Sequence, residues 1–134
     1  MKYVPVILSA FVLFSCSPKM SADASWGNQH FFVVEMKGVP VQQSGGRRDA
    51  FLAFRVAEKK FSGNAGCNQI NGNYTIDKSS IHFGEVLSTK MSCEDIEFEN
   101  VFLSTLSGID HFEMRGSDLL LKHRKDVMLV LRPR

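Results

Sequence analysis

Apolar and polar residues alternate along much of the chain after residue 29, with the period of two that is typical of half-buried β-strands. A strand is also predicted at residues 51–57, where Leu52, Phe54 and Val56 share one face, while Phe51, Ala53 and Arg55 share the other. The connections between such runs are short, which favours antiparallel pairing because parallel strands need long crossovers. Further strands are predicted at residues 30–37, 61–63, 74–77, 81–87, 110–115, 119–123 and 127–131.

Residues 95–106 follow a different period, with apolar side chains spaced i, i+3, i+4 and i+8, as on one face of an α-helix. Ser92 is expected to cap the first turn of this helix, and Gly108 to end it. Strands and helix together predict an α+β fold: a strongly curved antiparallel sheet, or partial barrel, with one packed α-helix. The residues expected to face the sheet are Phe98, Val101, Phe102 and Leu106.

A segment rich in glycine and asparagine, residues 64–73, separates two of the predicted strands. Both residue types tolerate positive φ, and asparagine side chains hydrogen-bond nearby backbone, so a compact set of turns is expected here. In a later strand, Gly84 interrupts the alternation and is expected at a bulge.

A second polar segment, residues 42–49, contains two glycines and the adjacent pair Arg47 and Arg48. It is predicted to be a mobile loop. Adjacent arginines in a glycine-rich loop are usually solvated, and this interpretation is favoured over an anion-binding site.

The composition points away from nucleic acid, metals and phosphate cofactors. The 134 residues carry a formal net charge of +2, part of it from Lys2 in a segment expected to be removed, which is too little for a nucleic-acid-binding domain. Cysteines and histidines lack the ligand spacing of a metal site. Gly63 and Gly66 are not followed by the Lys-Ser/Thr pair of a phosphate loop. No metal or cofactor is therefore predicted.

The N-terminus resembles the signal peptide of a bacterial lipoprotein. Lys2 supplies a positive charge, and residues 4–14 are mostly apolar but too short to span a bilayer comfortably. Ser15 precedes Cys16, as a small residue precedes the lipidated cysteine in a lipobox. An ordinary signal peptide and an uncleaved anchor are the alternatives. The resemblance implies a signal peptide at 1–15, lipidation of Cys16, a polar tether at 16–25 and a folded domain at 26–134.

A lipid on Cys16 would hold the domain at a membrane of the bacterial cell envelope while the domain itself stays in water. Ser17 follows the cysteine in place of the aspartate that is associated with retention in the inner membrane of enteric bacteria. The sequence therefore favours the outer membrane, with the domain facing the periplasm or the exterior.

The two other cysteines, Cys67 and Cys93, make an even number in an oxidising compartment and are predicted to form a disulfide. Two buried, reduced cysteines are the alternative. A thiol nucleophile assisted by His82, His111 or His123 is conceivable, but a disulfide would remove both nucleophiles. The chain is therefore not predicted to be an enzyme.

Three motifs in order resemble the META domain family, which includes the HslJ-type envelope lipoproteins of bacteria. They are Gly63-Asn64-Ala65-Gly66-Cys67-Asn68, Gly72-Asn73-Tyr74 and Ser88-Thr89-Lys90-Met91-Ser92-Cys93, the last standing before the predicted helix. The resemblance covers nearly all of the chain after Trp26. It implies an α+β fold and a role in the envelope or in a stress response, without defining a molecular activity.

What remains is a structural or binding role for a lipid-tethered domain. A polar surface for an unknown envelope protein, glycan or small ligand is one hypothesis. The other is a folding device, in which asparagine side chains satisfy the backbone of the turns. An inhibitor of a secreted hydrolase, such as lysozyme or a protease, is an alternative function. The candidate surface residues are Asn64, Asn68, Asn71, Thr89 and Lys90.

Overall fold

A computed structural model describes residues 21–27 and 29–134 of the chain. The predicted signal peptide, the lipidation site Cys16 and the first part of the tether lie outside the described residues. The described part contains one α-helix, α1 (Ile96–Ser107), and 3-10 helices at Ala24–Trp26 and Val56–Glu58. Its strands are β1 (His30–Met36), β2 (Val39–Pro40), β3 (Phe51–Arg55), β4 (Lys60–Asn64), β5 (Gln69–Asp77), β6 (Ser80–Ser88), β7 (His111–Arg115), β8 (Asp118–His123) and β9 (Asp126–Pro133).

The strands form one antiparallel sheet in the order β2-β1-β3-β4-β5-β6-β7-β8-β9, and β1 also pairs with β9. The sheet therefore closes into a ring. The ring is weakest between β6 and β7, which share a single register pair, Ser80 with His111, and α1 connects these two strands. The predicted α+β fold, a curved antiparallel sheet with one packed helix, is confirmed.

Side chains at alternate positions of the strands point into the ring and form the core. Leu52 and Phe54 of β3 point inward, as predicted, and are at most 4% exposed. From α1, Phe102 and Leu106 are fully buried against the sheet. Burying a side chain of this size contributes roughly 1.5–3 kcal/mol. The core also contains Trp26, Phe31, Phe61, Ile70, Tyr74, Ile81, Leu119, Leu121, Leu129 and Leu131.

The glycine- and asparagine-rich segment at 64–73 is not a set of turns throughout. The structure confines the turn to residues 65–68 and continues from Gln69 as strand β5. The inward position Gly72 has no room for a side chain, because a Cβ there would lie 2.9 Å from the ring of Phe61. A glycine at an inward position between outward asparagines removes the apolar alternation by which a strand is recognised.

The bulge predicted at Gly84 is present. Between two register pairs, Asn73 of β5 faces both Gly84 and Glu85, so β6 has one residue more than its partner. A bulge of this kind bends the strand and increases its twist, which helps a sheet to close.

Helix α1 begins later than predicted. Asp95 is its N-cap residue, with no side-chain cap hydrogen bond, so the prediction that Ser92 caps the helix is wrong. The preceding backbone is held elsewhere, because Met91 donates its N–H to the side chain of Asn68 and Cys93 forms a disulfide. These contacts keep the chain out of helical geometry until after Asp95.

The residues just before β1 pack against the sheet through Asp23 and Trp26. Asp23 is fully buried, and its carboxylate accepts hydrogen bonds from Lys59 Nζ at 2.7 and 2.9 Å and from the Tyr74 hydroxyl. The 3-10 helix that follows carries Trp26 into the core, where its ring lies 4.9 Å from that of Phe54. The fold therefore includes Asp23, a residue that the sequence analysis assigns to the tether.

The Asp23 carboxylate predicts a pH-dependent stability. Burial raises its pKa, but hydrogen bonds from Lys59, Tyr74 and Ser21 and the charge of Lys59 outweigh burial, so the pKa of Asp23 lies below its ordinary 3.8. Asp23→Asn removes the charge and should lower the free energy of unfolding by about 2 kcal/mol at neutral pH. Stability from a carboxylate with a lowered pKa is present above its unfolded-state pKa and is lost as pH falls through the folded-state value.

The difference in free energy of unfolding between wild type and Asp23→Asn should therefore have its largest value at neutral pH and decrease below about pH 4. Urea denaturation of both proteins from about pH 7 to about pH 2 measures it. A difference that does not change with pH would show that the charge of Asp23 is not what stabilises this part of the fold.

Candidate functional site

Asn68 lies where three segments meet: the β4–β5 turn, the chain between β6 and α1, and α1 itself. Its side chain is 3% exposed. Nδ2 donates to Glu99 Oε1 at 2.8 Å and to the Met91 carbonyl at 3.5 Å. Oδ1 accepts from the Thr89 hydroxyl at 2.9 Å and from the Met91 N–H at 2.6 Å. Both ends of the amide are thus satisfied, as a buried amide requires, and we call Asn68, Thr89, Met91 and Glu99 the Asn68 junction.

Glu99 is the charged member of the Asn68 junction and is 4% exposed. One carboxylate oxygen accepts the backbone N–H of Asn68 at 2.7 Å, and the other accepts its side chain. Sequence reasoning missed Glu99, because a glutamate on an amphipathic helix normally faces solvent. The available signal is its position three residues before Phe102, which places it on the face of α1 that packs against the sheet.

The predicted disulfide between Cys67 and Cys93 is present in the structure, with Cα atoms 6.1 Å apart and a sequence separation of 26. It joins the β4–β5 turn to the chain that leads into α1, and so fastens the same segments as the Asn68 junction. In this form neither sulfur is a thiolate, and the cysteine nucleophile considered from the sequence has no thiol to use.

Two glycines of the first motif occupy positions that are closed to any side chain. At Gly63 a Cβ would lie 2.0 Å from the carbonyl oxygen of Phe51. Gly66 has a φ of +106°, and its Cβ would lie 2.8 Å from the ring of Phe98. Asn64 Oδ1 accepts the N–H of Gly66 at 2.7 Å and closes the turn between them. Packing therefore explains why this motif needs glycine at both places.

The five residues predicted to form one polar surface differ in their burial and in the groove that they line. Asn68 is buried and belongs to the interior of the junction, as the folding-device interpretation expects, so it is not a surface residue. Asn71, Thr89 and Lys90 are exposed. Asn64 and Asn71 line one groove, whereas Thr89 and Lys90 line another, on the side of α1.

Asn64 and Asn71 line a groove of about 880 Å³ on the outer face of the sheet. Arg47, Arg48 and Phe51 line the same groove, which we call the arginine groove. Its polar lining also includes Ser62, Gln69 and Ser92, and the disulfide lies beside it. Sequence reasoning set the two arginines aside as solvated, because only the fold brings their loop beside strands β3 to β5.

Asp49 organises the loop that carries the two arginines. Its carboxylate is buried and accepts hydrogen bonds from the N–H and hydroxyl of Ser44 and from the N–H of Gly45, each at 2.8 Å. The backbone N–H of Ser44 is the main cause that holds the pKa of Asp49 below its usual range, against the effect of burial. The sequence predicts a mobile loop at 42–49, whereas in the structure the buried carboxylate of Asp49 holds Ser44 and Gly45 in place.

Within residues 21–27 and 29–134, no cluster of three or more histidine, cysteine, aspartate or glutamate side chains is arranged to hold a metal ion. No helix in this part of the chain is long and apolar enough to cross a membrane. The chemistry that the arginine groove offers is hydrogen bonding and positive charge.

A ring-like antiparallel sheet closed by one helix, with a disulfide beside a glycine- and asparagine-rich turn, defines a small α+β domain. The META domain family matches residues 24–134, and the chain belongs to this family. The family resemblance seen in the three sequence motifs is thereby confirmed.

Solved structures share the fold at low identity. A protein from Burkholderia xenovorans, determined by NMR, is 18% identical with a TM-score of 0.65, covering 98% of this chain and 99% of that one. A DUF4847 family protein from Bacteroides vulgatus, determined by crystallography, is 16% identical with a TM-score of 0.57, covering 81% of this chain and 94% of that one. No curated protein matches the sequence.

Proposed function

We propose that this chain is a lipid-anchored META domain of the bacterial cell envelope, with a non-catalytic structural or binding role in envelope homeostasis or stress response. The observation that carries the proposal is the Cys67–Cys93 disulfide. Disulfides persist in oxidising compartments such as the periplasm and are rare in the cytosol. The lipobox-like sequence that ends at Cys16 predicts export to the same kind of compartment and a lipid anchor.

The anchor and the fold are close together along the chain. From Cys16 to Asp23, the first described residue that is buried, the chain can extend by at most about 25 Å. A lipidated Cys16 would therefore keep the ring within that distance of the membrane surface. Because several acyl chains each bury many CH₂ groups, such an anchor is close to permanent.

A non-catalytic role is supported by how the polar side chains of the family motifs are used. The amide of Asn68 and both oxygens of Glu99 are engaged within the fold. The cysteines are bonded to each other. A general base or nucleophile must be free to contact a substrate. These residues instead fasten the β4–β5 turn to α1 and to the chain that precedes it.

Inhibition of a secreted hydrolase is a second candidate, favoured by two exposed apolar side chains, one at the end of β6 and one just after it. Leu87 is 60% exposed and Met91 is 56% exposed. They flank a segment held by the Asn68 junction, so they could enter an enzyme cleft without a large loss of conformational freedom. A fall in lysozyme or protease activity on addition of the purified protein, abolished by Met91→Lys, would support this candidate.

The intact mass of the protein from native membranes tests the proposed function. We expect a mass that lacks residues 1–15, is increased by acyl chains on Cys16, and gains two hydrogens on reduction of the disulfide. Cys16→Ala is the control and should yield an unlipidated product. A full-length, unlipidated mass with free thiols would overturn both the location and the anchor. Membrane fractionation of the lipidated form would then test the expected outer-membrane location.

A further inference from the structure

The outer face of strands β3, β4 and β5 carries polar side chains in register. Phe51, Asn64 and Gln69 form one row across the three strands. Ala53, Ser62 and Asn71 form the next row. Amides and a hydroxyl therefore lie side by side on a face of the sheet, with an aromatic ring at one edge, and together they form the floor of the arginine groove.

The polar groups of this floor are available to a ligand. Gln69 and Asn71 are exposed, and among the described residues their side chains make no hydrogen bond within the protein. Asn64 uses its oxygen for the turn, which leaves its NH₂ group as a donor. Phe51 is half-buried and stacks on His30 with ring centroids 4.8 Å apart, so its position is fixed.

The arginine groove carries a local positive charge. The arginines of the described chain that form ion pairs are Arg55, Arg115, Arg132 and Arg134. Arg47 and Arg48 are exposed and have no carboxylate partner in that part of the chain. No aspartate or glutamate of the described residues lines the groove. Two free guanidinium groups beside uncharged donors and acceptors suit an anion that also carries many hydroxyl groups.

Other classes of anionic ligand fit this surface less well. An extended peptide usually binds by adding a strand at a free sheet edge, but β3, β4 and β5 each have paired neighbours on both sides. A nucleic acid would need a wider basic patch than two arginines on a chain of formal net charge +2. An oligosaccharide needs neither a sheet edge nor a large positive field.

We propose that the arginine groove binds a carboxylated oligosaccharide. Arg47 and Arg48 bind the carboxylate groups, while Asn64, Gln69 and Asn71 exchange hydrogen bonds with sugar hydroxyls. The face of the Phe51 ring that does not stack on His30 packs, through its negative quadrupole, against the C–H groups of a sugar ring. This proposal deepens the proposed binding role and depends on the envelope location only for access to such glycans.

Isothermal titration of the full-length protein, purified in detergent, with tetragalacturonate tests the proposal. The methyl ester of the same tetrasaccharide is the matched neutral ligand. We expect the acid to bind at least about tenfold more tightly than the ester, because the arginines lose their charged partners in the ester. Equal binding of acid and ester, or binding of neither tetragalacturonate nor peptidoglycan glycan strands, would overturn the proposal.

Two pairs of variants locate the binding site. Arg47→Gln/Arg48→Gln should weaken binding about tenfold or more, whereas the control Lys78→Asn/Lys125→Gln removes the same charge from turns outside the groove and should not. Asn71→Ala should also weaken binding. Its control is Asn73→Ala, the next outward position of β5, which does not line the groove. Equal effects of target and control variants would refute the assignment.

The source of the carboxylate is a separate arm of the experiment. Tetragalacturonate represents uronate polysaccharides, and glycan strands freed of their stem peptides, in which N-acetylmuramic acid carries a free carboxylate, represent peptidoglycan. The tighter ligand identifies the source. Tighter binding of tetraglutamate than of either glycan would overturn the proposal in favour of an acidic peptide. The titration does not depend on whether Cys16 carries a lipid. If the intact mass shows no lipid, the binding result can still be interpreted.

Discussion

Replacing Asn68 with alanine is expected to lower the free energy of unfolding by about 3–5 kcal/mol, the largest effect that we predict for a side chain outside the apolar core. The substitution removes both hydrogen bonds accepted by Oδ1 and both donated by Nδ2. It leaves the Glu99 carboxylate buried with one donor fewer. Because a domain of this size has only about 5–15 kcal/mol of stability in total, the variant should be close to unfolding at physiological temperature.

Urea denaturation of wild type and Asn68→Ala measures this loss. Asn71→Ala and Lys90→Ala are the controls, because both residues are exposed, and each should change stability by less than about 0.5 kcal/mol. If Asn68→Ala proves as mild as these two, the hydrogen bonds of the Asn68 junction do not support the fold, and the folding-device interpretation fails.

A double-mutant cycle with Glu99→Gln separates the charge from the hydrogen bonds. In wild type, Asn68 offers two N–H donors to the carboxylate of Glu99. Once Asn68 is alanine, the buried charge keeps only the backbone donor, so Glu99→Gln should be less harmful in that background than in wild type. A coupling energy near zero would show that the two residues do not stabilise each other.

The curved antiparallel sheet and its helix could be predicted because they rest on local periodicity. Leu52 and Phe54 are two residues apart on one face of a strand, and Phe102 and Leu106 follow a helical spacing, so the sequence indicates their buried faces. Strand β5 could not be recognised in full, because Gly72 takes an inward position where the expected apolar residue would clash with Phe61.

The candidate site could be predicted only in part, because its parts come from segments far apart in the chain. Asn68 attracts notice as a motif residue, but its burial depends on Glu99, 31 residues away. From the sequence, Arg47 and Arg48 are interpreted as a solvated pair. Only the folded sheet places their loop beside Asn64 and Asn71. Contacts of this kind depend on sheet register and helix docking, which single-sequence patterns do not encode.

Removing the disulfide with Cys67→Ala/Cys93→Ala is expected to lower the free energy of unfolding by about 3.5 kcal/mol, the chain-entropy value for a loop closed over a separation of 26 residues. The bond acts mainly by limiting the unfolded chain. For a domain of this length, the melting temperature should fall by more than about 10 °C. Calorimetry with and without reductant measures this, because reductant should destabilise wild type and leave the alanine variant unchanged.

The disulfide and the Asn68 junction hold the same two segments together, so their effects should not be independent. Cys67 precedes Asn68 in the β4–β5 turn, and Cys93 follows Met91 on the chain that leads to α1. Without the covalent bond the junction is freer to separate, and Asn68→Ala should then cost about 1 kcal/mol less than it does in the oxidised protein. Strict additivity would instead mean that the junction keeps its geometry unaided, with the disulfide acting on the unfolded state alone.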